Sequence, residues 1–435
     1  MRTLQTSASL ALALTVFAVS ATQAPAAQRQ TADQLDQKTL VAAYKQSIAE
    51  ARAGRYLAAS FGLLDQLHLT EASQIPDADV FDQWAQVMSC MTNRPSINPA
   101  AGVDFNVPPS QLTDLRDATA VPAIEEIVRR ARHTRIVILD ENHLDPRGRA
   151  FALDVARALR PLGYSVLAIE ALRGVADDGE ARARMASLAA DKHARPSTGY
   201  YFDDPVFADF LRQSLALGYQ PVNYETTRTN YSADPKVAQG QREKDQADAL
   251  MRRTVTSFPK AKILIYVGEH HAAERPIAIE GGHVRMMADY LKEASGIDPL
   301  TIDQAGLSAL PMNRPNVDLY AVAAPKAPRQ SMVLLLHGKP LTVGLLAGSV
   351  DLQVVHPPVV LDHGRPTWLR SLGRTPSPVP QKLLPATGTR LVQAFLAADG
   401  DDTIPIDQVL VTAGKPAPWL MLPHAAIRYA VQDRP

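Results

Sequence analysis

From residue 121 to residue 303, short apolar runs alternate with stretches whose apolar positions recur every three to four residues, so strands and amphipathic helices follow one another. A helix is expected over 122–132, with Pro122 at its start and Ile124, Ile127 and Val128 on one face. Strand 135–140, helix 147–162 and strand 166–169 come next, and Phe151, Val155 and Leu159 give that helix its buried stripe. The cycle repeats as helix 206–217, strand 221–224, helix 237–255, strand 262–267, helix 284–294 closed by Gly296, and strand 300–302. These strands are apolar throughout instead of alternating, which requires cover on both faces. The expected fold class is α/β, a parallel-sheet core with helices on both faces.

On either side of this core the texture changes. Residues 37–95 read as helices, with Leu40, Tyr44 and Ile48, then Leu63, Leu64 and Leu67, at helical spacing. One or two hairpins of this kind are too few for a repeat array. A stretch at 93–109 containing Pro and Asn reads as a linker. Beyond about 310 prolines multiply, and short β-like runs occur at 332–336, 352–355 and 408–412. The expected organisation is a signal peptide over 1–26, a helical region and linker over 27–110, an α/β domain over 111–310, and a β-rich C-terminal region over 311–435.

Met1-Arg2, an apolar run from Leu10 to Val19 and small residues at Ala24-Pro25-Ala26 follow the order of a secretory signal peptide cleaved near residue 27. Export to the periplasm or the exterior is therefore expected. No later stretch reaches the roughly 18 consecutive apolar residues of a membrane span, so no membrane anchor is expected in the mature chain. Lys+Arg and Asp+Glu balance at 45 each, which leaves no basic footprint for nucleic acid. Cys90 is the single cysteine, so an intramolecular disulfide and a Cys-rich metal site are excluded. A small-molecule or peptide substrate is the partner this composition favours.

In a parallel α/β sheet, ligands bind outside the carboxyl ends of the strands. The chain leaves strand 135–140 as Asp140-Glu141-Asn142-His143, strand 166–169 at Glu170, strand 221–224 at Glu225, strand 262–267 as Gly268-Glu269-His270-His271, and strand 300–302 at Asp303. Five successive strands thus each deliver a carboxylate, two of them in a Glu-x-His element. Any single one reads equally as a loop carboxylate or helix cap. Together they predict one shared site: either a mixed N/O divalent-metal site with Glu141, His143, Glu269 and His271 as ligands, or a metal-free acid/base constellation. Glu225 and Asp303 are expected as outer members. The run Gln241-Arg242-Glu243-Lys244-Asp245 reads as a solvated charged face, or else directs Arg242 at the sheet end as an anion stabiliser. The connection holding His193 and Tyr200-Tyr201-Phe202-Asp203-Asp204 could serve as a substrate lid, whereas His283, His337, His356 and His363 read as structural or exposed. The motifs G-x-S-x-G, G-x-x-x-x-G-K-[ST], G-x-G-x-x-G and H-E-x-x-H do not occur.

With these residues in their order, the chain resembles the superfamily of erythromycin esterase-like proteins, ChaN-like haem-binding proteins and Tiki-type metalloproteases. That group carries two G-x-x-H elements, a glutamate on the following strand and an Arg-acidic pair. Here Gly268 to His271 is intact, while Asp140 stands where the first element has its glycine. The likeness spans residues 121–305. It implies a hydrolase in which Glu141 and His143 activate water, Glu170 and His271 complete the acid/base or metal shell, and Arg242 steadies developing negative charge. The alternative it implies is a non-catalytic protein that binds haem or another small ligand. The acidic strand ends suit that alternative less well than an apolar pocket would.

Overall fold

A computed structural model describes residues 37–70, 75, 77–93, 107–279, 282–308 and 314–434; the expected signal peptide and most of the linker lie outside them. Nine strands build the central sheet among the described residues. One, the two-residue Lys339–Pro340, pairs with the strand Met332–Leu336 off the main row; the other eight are β1 (Thr119–Pro122), β2 (Ile136–Glu141), β3 (Tyr164–Ile169), β4 (Gln220–Asn223), β5 (Lys262–Gly268), β6 (Leu300–Asp303), β7 (Met332–Leu336) and β8 (Leu352–Val355). They lie in the order β1-β7-β8-β6-β2-β5-β3-β4. From β8 to β4 all pairings are parallel, and β7 runs antiparallel to β1 and β8. The sheet therefore continues past residue 310, and the boundary expected there cuts through it.

The helices are α1 (Gln37–Arg52), α2 (Tyr56–Gln66), α3 (Ala78–Thr92), α4 (Pro109–Asp117), α5 (Ala123–Ala131), α6 (Pro146–Leu159), α7 (Asp178–Asp191), α8 (Pro205–Ala216), α9 (Pro235–Leu250), α10 (Met287–Ser295) and α11 (Arg314–Ala323). Strand pleating sends alternate residues to opposite faces, and each set meets its own helices. Val137, Leu139, Leu264 and Tyr266 pack with Phe151 and Val155 of α6 and Phe207 and Phe210 of α8. Ile136, Ile138, Ile263 and Ile265 pack with Ala247 and Leu250 of α9 and Leu291 of α10. The expected two-sided cover is present. Helix α7 lies in the connection read as a lid; only its Ala181 and Leu188 are buried, so it offers no apolar stripe.

The flanking regions close over one another. Leu40, Leu63, Leu64 and Phe81 of α1 to α3 form a small core that also takes in Leu144, from the loop after β2. Strands β9 (Thr389–Leu396), β10 (Asp407–Thr412) and β11 (Ile427–Asp433) form an antiparallel sheet in the order β10-β9-β11. Leu391 of β9 packs with Tyr56, Phe61 and Met91 of the helical region. No helix among the described residues is long and apolar enough to cross a membrane.

Candidate active site

Strand register decides which polar side chains meet. Glu141, the last residue of β2, pairs with Gly268, the last of β5, and Asp140 pairs with Val267. Glu141 therefore shares the face of Tyr266's neighbourhood, whereas Asp140 turns to the other face, where Asp303 at the end of β6 also lies, one step beyond the Leu139–Ile302 pair. Glu269, one residue past Gly268, follows Asp140 and not Glu141. Asp140, Glu269, His270 and Asp303 accordingly line a separate small cavity with Gln353 and Leu346. Asp303 caps the turn at Ala305 and Gly306 and accepts from Gln353. The expectation that Glu269 and Asp303 join His143 and His271 is thus corrected. Asp140 itself sits in regular extended strand, its Oδ1 accepting from Gln304 N at 2.9 Å, so its replacement of glycine imposes no turn.

The first half of the site is built on Glu141. His143 Nδ1 lies 2.9 Å from Glu141 Oε1, and because an ionised carboxylate only accepts, Nδ1 carries the proton. Tyr266 Oη and Arg149 Nε both donate to Glu141 Oε2 at 2.8 Å. Burial alone would raise the Glu141 carboxyl, but Arg149 and His143 outweigh it and hold it below the usual range. The His143 ring stacks on Tyr201, with centroids 4.3 Å apart.

The second half gathers around Glu170. Arg242 Nη2 donates to Glu170 Oε1 at 2.7 Å and to Glu225 Oε1 at 2.9 Å, and Gln246 also donates to Glu225. His271 places Nε2 3.2 Å from Glu170 Oε1 and Nδ1 2.7 Å from Glu243 Oε2. Both ring nitrogens face carboxylates, so His271 is an imidazolium. Burial works against that charge, but Glu243 and Glu170 prevail and push its pKa up to about 10. Burial would likewise raise Glu170, yet His271 and Arg242 hold it well below the carboxylate range. Glu243 is fully buried and also caps α10 through Met287 N at 2.8 Å, so the run around Arg242 is only partly the solvated face its composition suggests.

Gly268 joins the two halves. A Cβ there would stand 2.7 Å from His143 Nε2 and 3.1 Å from Glu170 Oε2, while Gly268 N donates to Glu170 Oε2 at 2.6 Å. One point is thus flanked by the bare nitrogen of His143 and by the charged Glu170 group. Gly268→Ala is expected to drive His143 off Tyr201 and Glu141 and to cost about 1–3 kcal/mol, as overpacking does. Urea unfolding would read this, and a change below about 0.5 kcal/mol would show the space to be open.

The structure brings Glu141, His143, Glu170, Arg242, His271 and Glu225 together and leaves Glu269 and Asp303 apart. Sequence reasoning missed Arg149, Tyr266 and Gln246 as members, and it read Tyr201 as part of a lid where the ring stacks on His143. The proposed four-ligand metal set does not fit: Glu269 faces the other cavity, and both nitrogens of His271 are engaged by carboxylates. Among the described residues no three His, Cys, Asp or Glu side chains are arranged to hold one ion.

No protein-family model and no curated protein matches this chain. Solved structures similar to it include one titled as bacterial protein toxins, at 17% identity and TM-score 0.33, covering 45% of this chain and 39% of that one. The RRSP effector domain of a MARTX toxin from Vibrio vulnificus CMCP6 matches at 17% identity and TM-score 0.32, over 45% of this chain and 38% of that one. The type III effector HopBA1 matches at 14% identity and TM-score 0.29, over 49% of this chain and 91% of that one. The chain thus spans well under half of the first two structures. At these scores the likeness assigns no activity.

Proposed function

We propose that this chain is an exported hydrolase of the erythromycin esterase and Tiki type, acting on a small-molecule or peptide substrate. What carries the reading is the convergence of His143 Nε2 and the Glu170–Arg242–His271 group on the space beside Gly268. His143, its other nitrogen donating to Glu141, accepts a proton from water through Nε2 as that water attacks a carbonyl carbon. Arg242 and the imidazolium of His271 supply the positive charge that steadies the oxyanion. This assignment takes His271 from a member of the acid/base or metal shell to an electrostatic stabiliser, because a ring already carrying both protons cannot accept another.

The purified protein is expected to hydrolyse members of a panel of chromogenic esters, lactones and peptides. His143→Ala and Glu170→Ala variants that fold normally are expected to lose at least about 100-fold, the usual contribution of a placed acid/base group. Variants that keep the parent rate would remove both residues from the mechanism. Titration with haem separates the binding alternative: a Soret shift without turnover would replace the hydrolase reading. Metal content by mass spectrometry, compared between the parent and variants lacking the His143 and His271 side chains, tests whether any divalent ion is held there.

A further inference from the structure

Beneath Glu141 lies a cation, Arg149, that nothing in the residue pattern places there. Arg149, on the first turn of α6, is fully buried, and its planar fork reaches four groups at once. Nε donates to Glu141 Oε2 at 2.8 Å, and Nη2 donates to Glu141 Oε1 at 3.3 Å and to the carbonyl of His143 at 2.9 Å. Nη1 donates to Asp204 Oδ2 at 2.5 Å, and the guanidinium lies over the ring of Phe207 at 4.8 Å.

Asp204 is equally constrained. Its Oδ1 caps α8 through Val206 N at 3.0 Å, and its backbone N–H donates to Tyr201 O at 3.1 Å, closing the turn that presents Tyr201 to His143. Phe202 in that turn is buried against Phe207, and Tyr56 Oη of α2 donates to Asp203 O at 2.8 Å. The turn from 201 to 204 is therefore tied down at every residue, which suits a fixed wall and not a lid.

We propose that Arg149, held in place by Asp204, is a positioning residue that keeps Glu141 ionised and thereby fixes His143 with its proton on Nδ1 and its lone pair on Nε2. The inference rests on the proposed role of His143 as the base. A buried carboxylate without a counter-charge takes up a proton. A protonated Glu141 would donate to Nδ1, and His143 would then carry its own proton on Nε2, where it could no longer accept one from water. Buried Arg149 thus selects the tautomer from a position that never touches substrate.

The tautomer can be read without a substrate, by long-range proton–nitrogen NMR of the full chain with nitrogen-labelled histidine rings at pH 8, the His143 signal being assigned by its loss in His143→Gln. The parent is expected to show the Nδ1–H form. Arg149→Met is expected to show the Nε2–H form, and Arg149→Gln, which keeps a donor in the cavity and is the variant to use if Met prevents folding, the same. Arg149→Lys retains the charge and is expected to return the parent form. A folded Arg149→Gln with the Nδ1–H form, or Arg149→Lys that reverses as the neutral variants do, would overturn the proposal. Failure of every variant and the parent to hydrolyse anything would count against the proposed activity while leaving this result standing.

Discussion

Glu170→Gln is expected to be the most damaging conservative change in the protein. The amide retains an acceptor for Gly268 N but removes the charge that Arg242 and His271 both face. Breaking a largely buried ion pair from one side costs about 3–5 kcal/mol. Here the lower end applies, because Arg242 keeps Glu225 and His271 keeps Glu243. A loss of about 3 kcal/mol in chemical denaturation, together with loss of whatever hydrolysis the parent shows, is the expected result. A variant as stable as the parent would mean that the ion pairs are compensated by solvent.

The second large effect is in pH. The pKa of His271 rises from 6.5 to about 10 on folding, so the folded state binds its proton more tightly than the unfolded state does. The stability this supplies is complete below about pH 6.5 and is lost as pH climbs through 10. At about 1.36 kcal/mol per unit the interval corresponds to at most about 5 kcal/mol, and on the order of 3 is expected once coupling to Glu170 and Glu243 is allowed for. Glu269, raised to about 8, and Asp82, raised to about 6, mainly by burial, lose stability in the same direction but over lower windows. The difference between the parent and His271→Gln from pH 7 to 10 isolates the histidine. Parallel stability curves for the two proteins would show that His271 does not hold its proton.

Much of the framework was readable because buried strands and amphipathic helices leave unmistakable periodicities. The runs at 135–140, 166–169, 221–224, 262–267 and 300–302 correspond to β2, β3, β4, β5 and β6 within two residues. Strand β1 and helix α7 were not readable: no residue of the first is fully buried, so it carries no apolar run, and the second is rich in Ala and Arg with little to bury. The site divided in the same way. Carboxylates and histidines at strand ends announce themselves, but Arg149 and Tyr266 lie within elements whose apolar pattern marks them as core. Glu269 was misplaced because matching Glu-x-His spacings suggested equivalence, while equivalence between parallel strands is set by hydrogen-bond register, which spacing within one strand does not encode.

That register has a further consequence. With Glu141 opposite Gly268, the two faces of one sheet end hold different chemistry back to back: Glu141 with Arg149 and Tyr266 on the side of α6 and α8, and the carboxyls of Asp140 and Glu269, both pushed up by burial, on the side of α9 and α10. The sheet thus works as a parity rule. Side chains along β2 or β5 can be exchanged one for one, yet inserting or deleting a single residue in β2 would turn Glu141 toward the carboxyl side and leave His143 without its anchor, and the same change in β5 would swing Tyr266 away from Glu141. In this chain, length within those two strands is a stricter requirement than the identity of most residues that fill them.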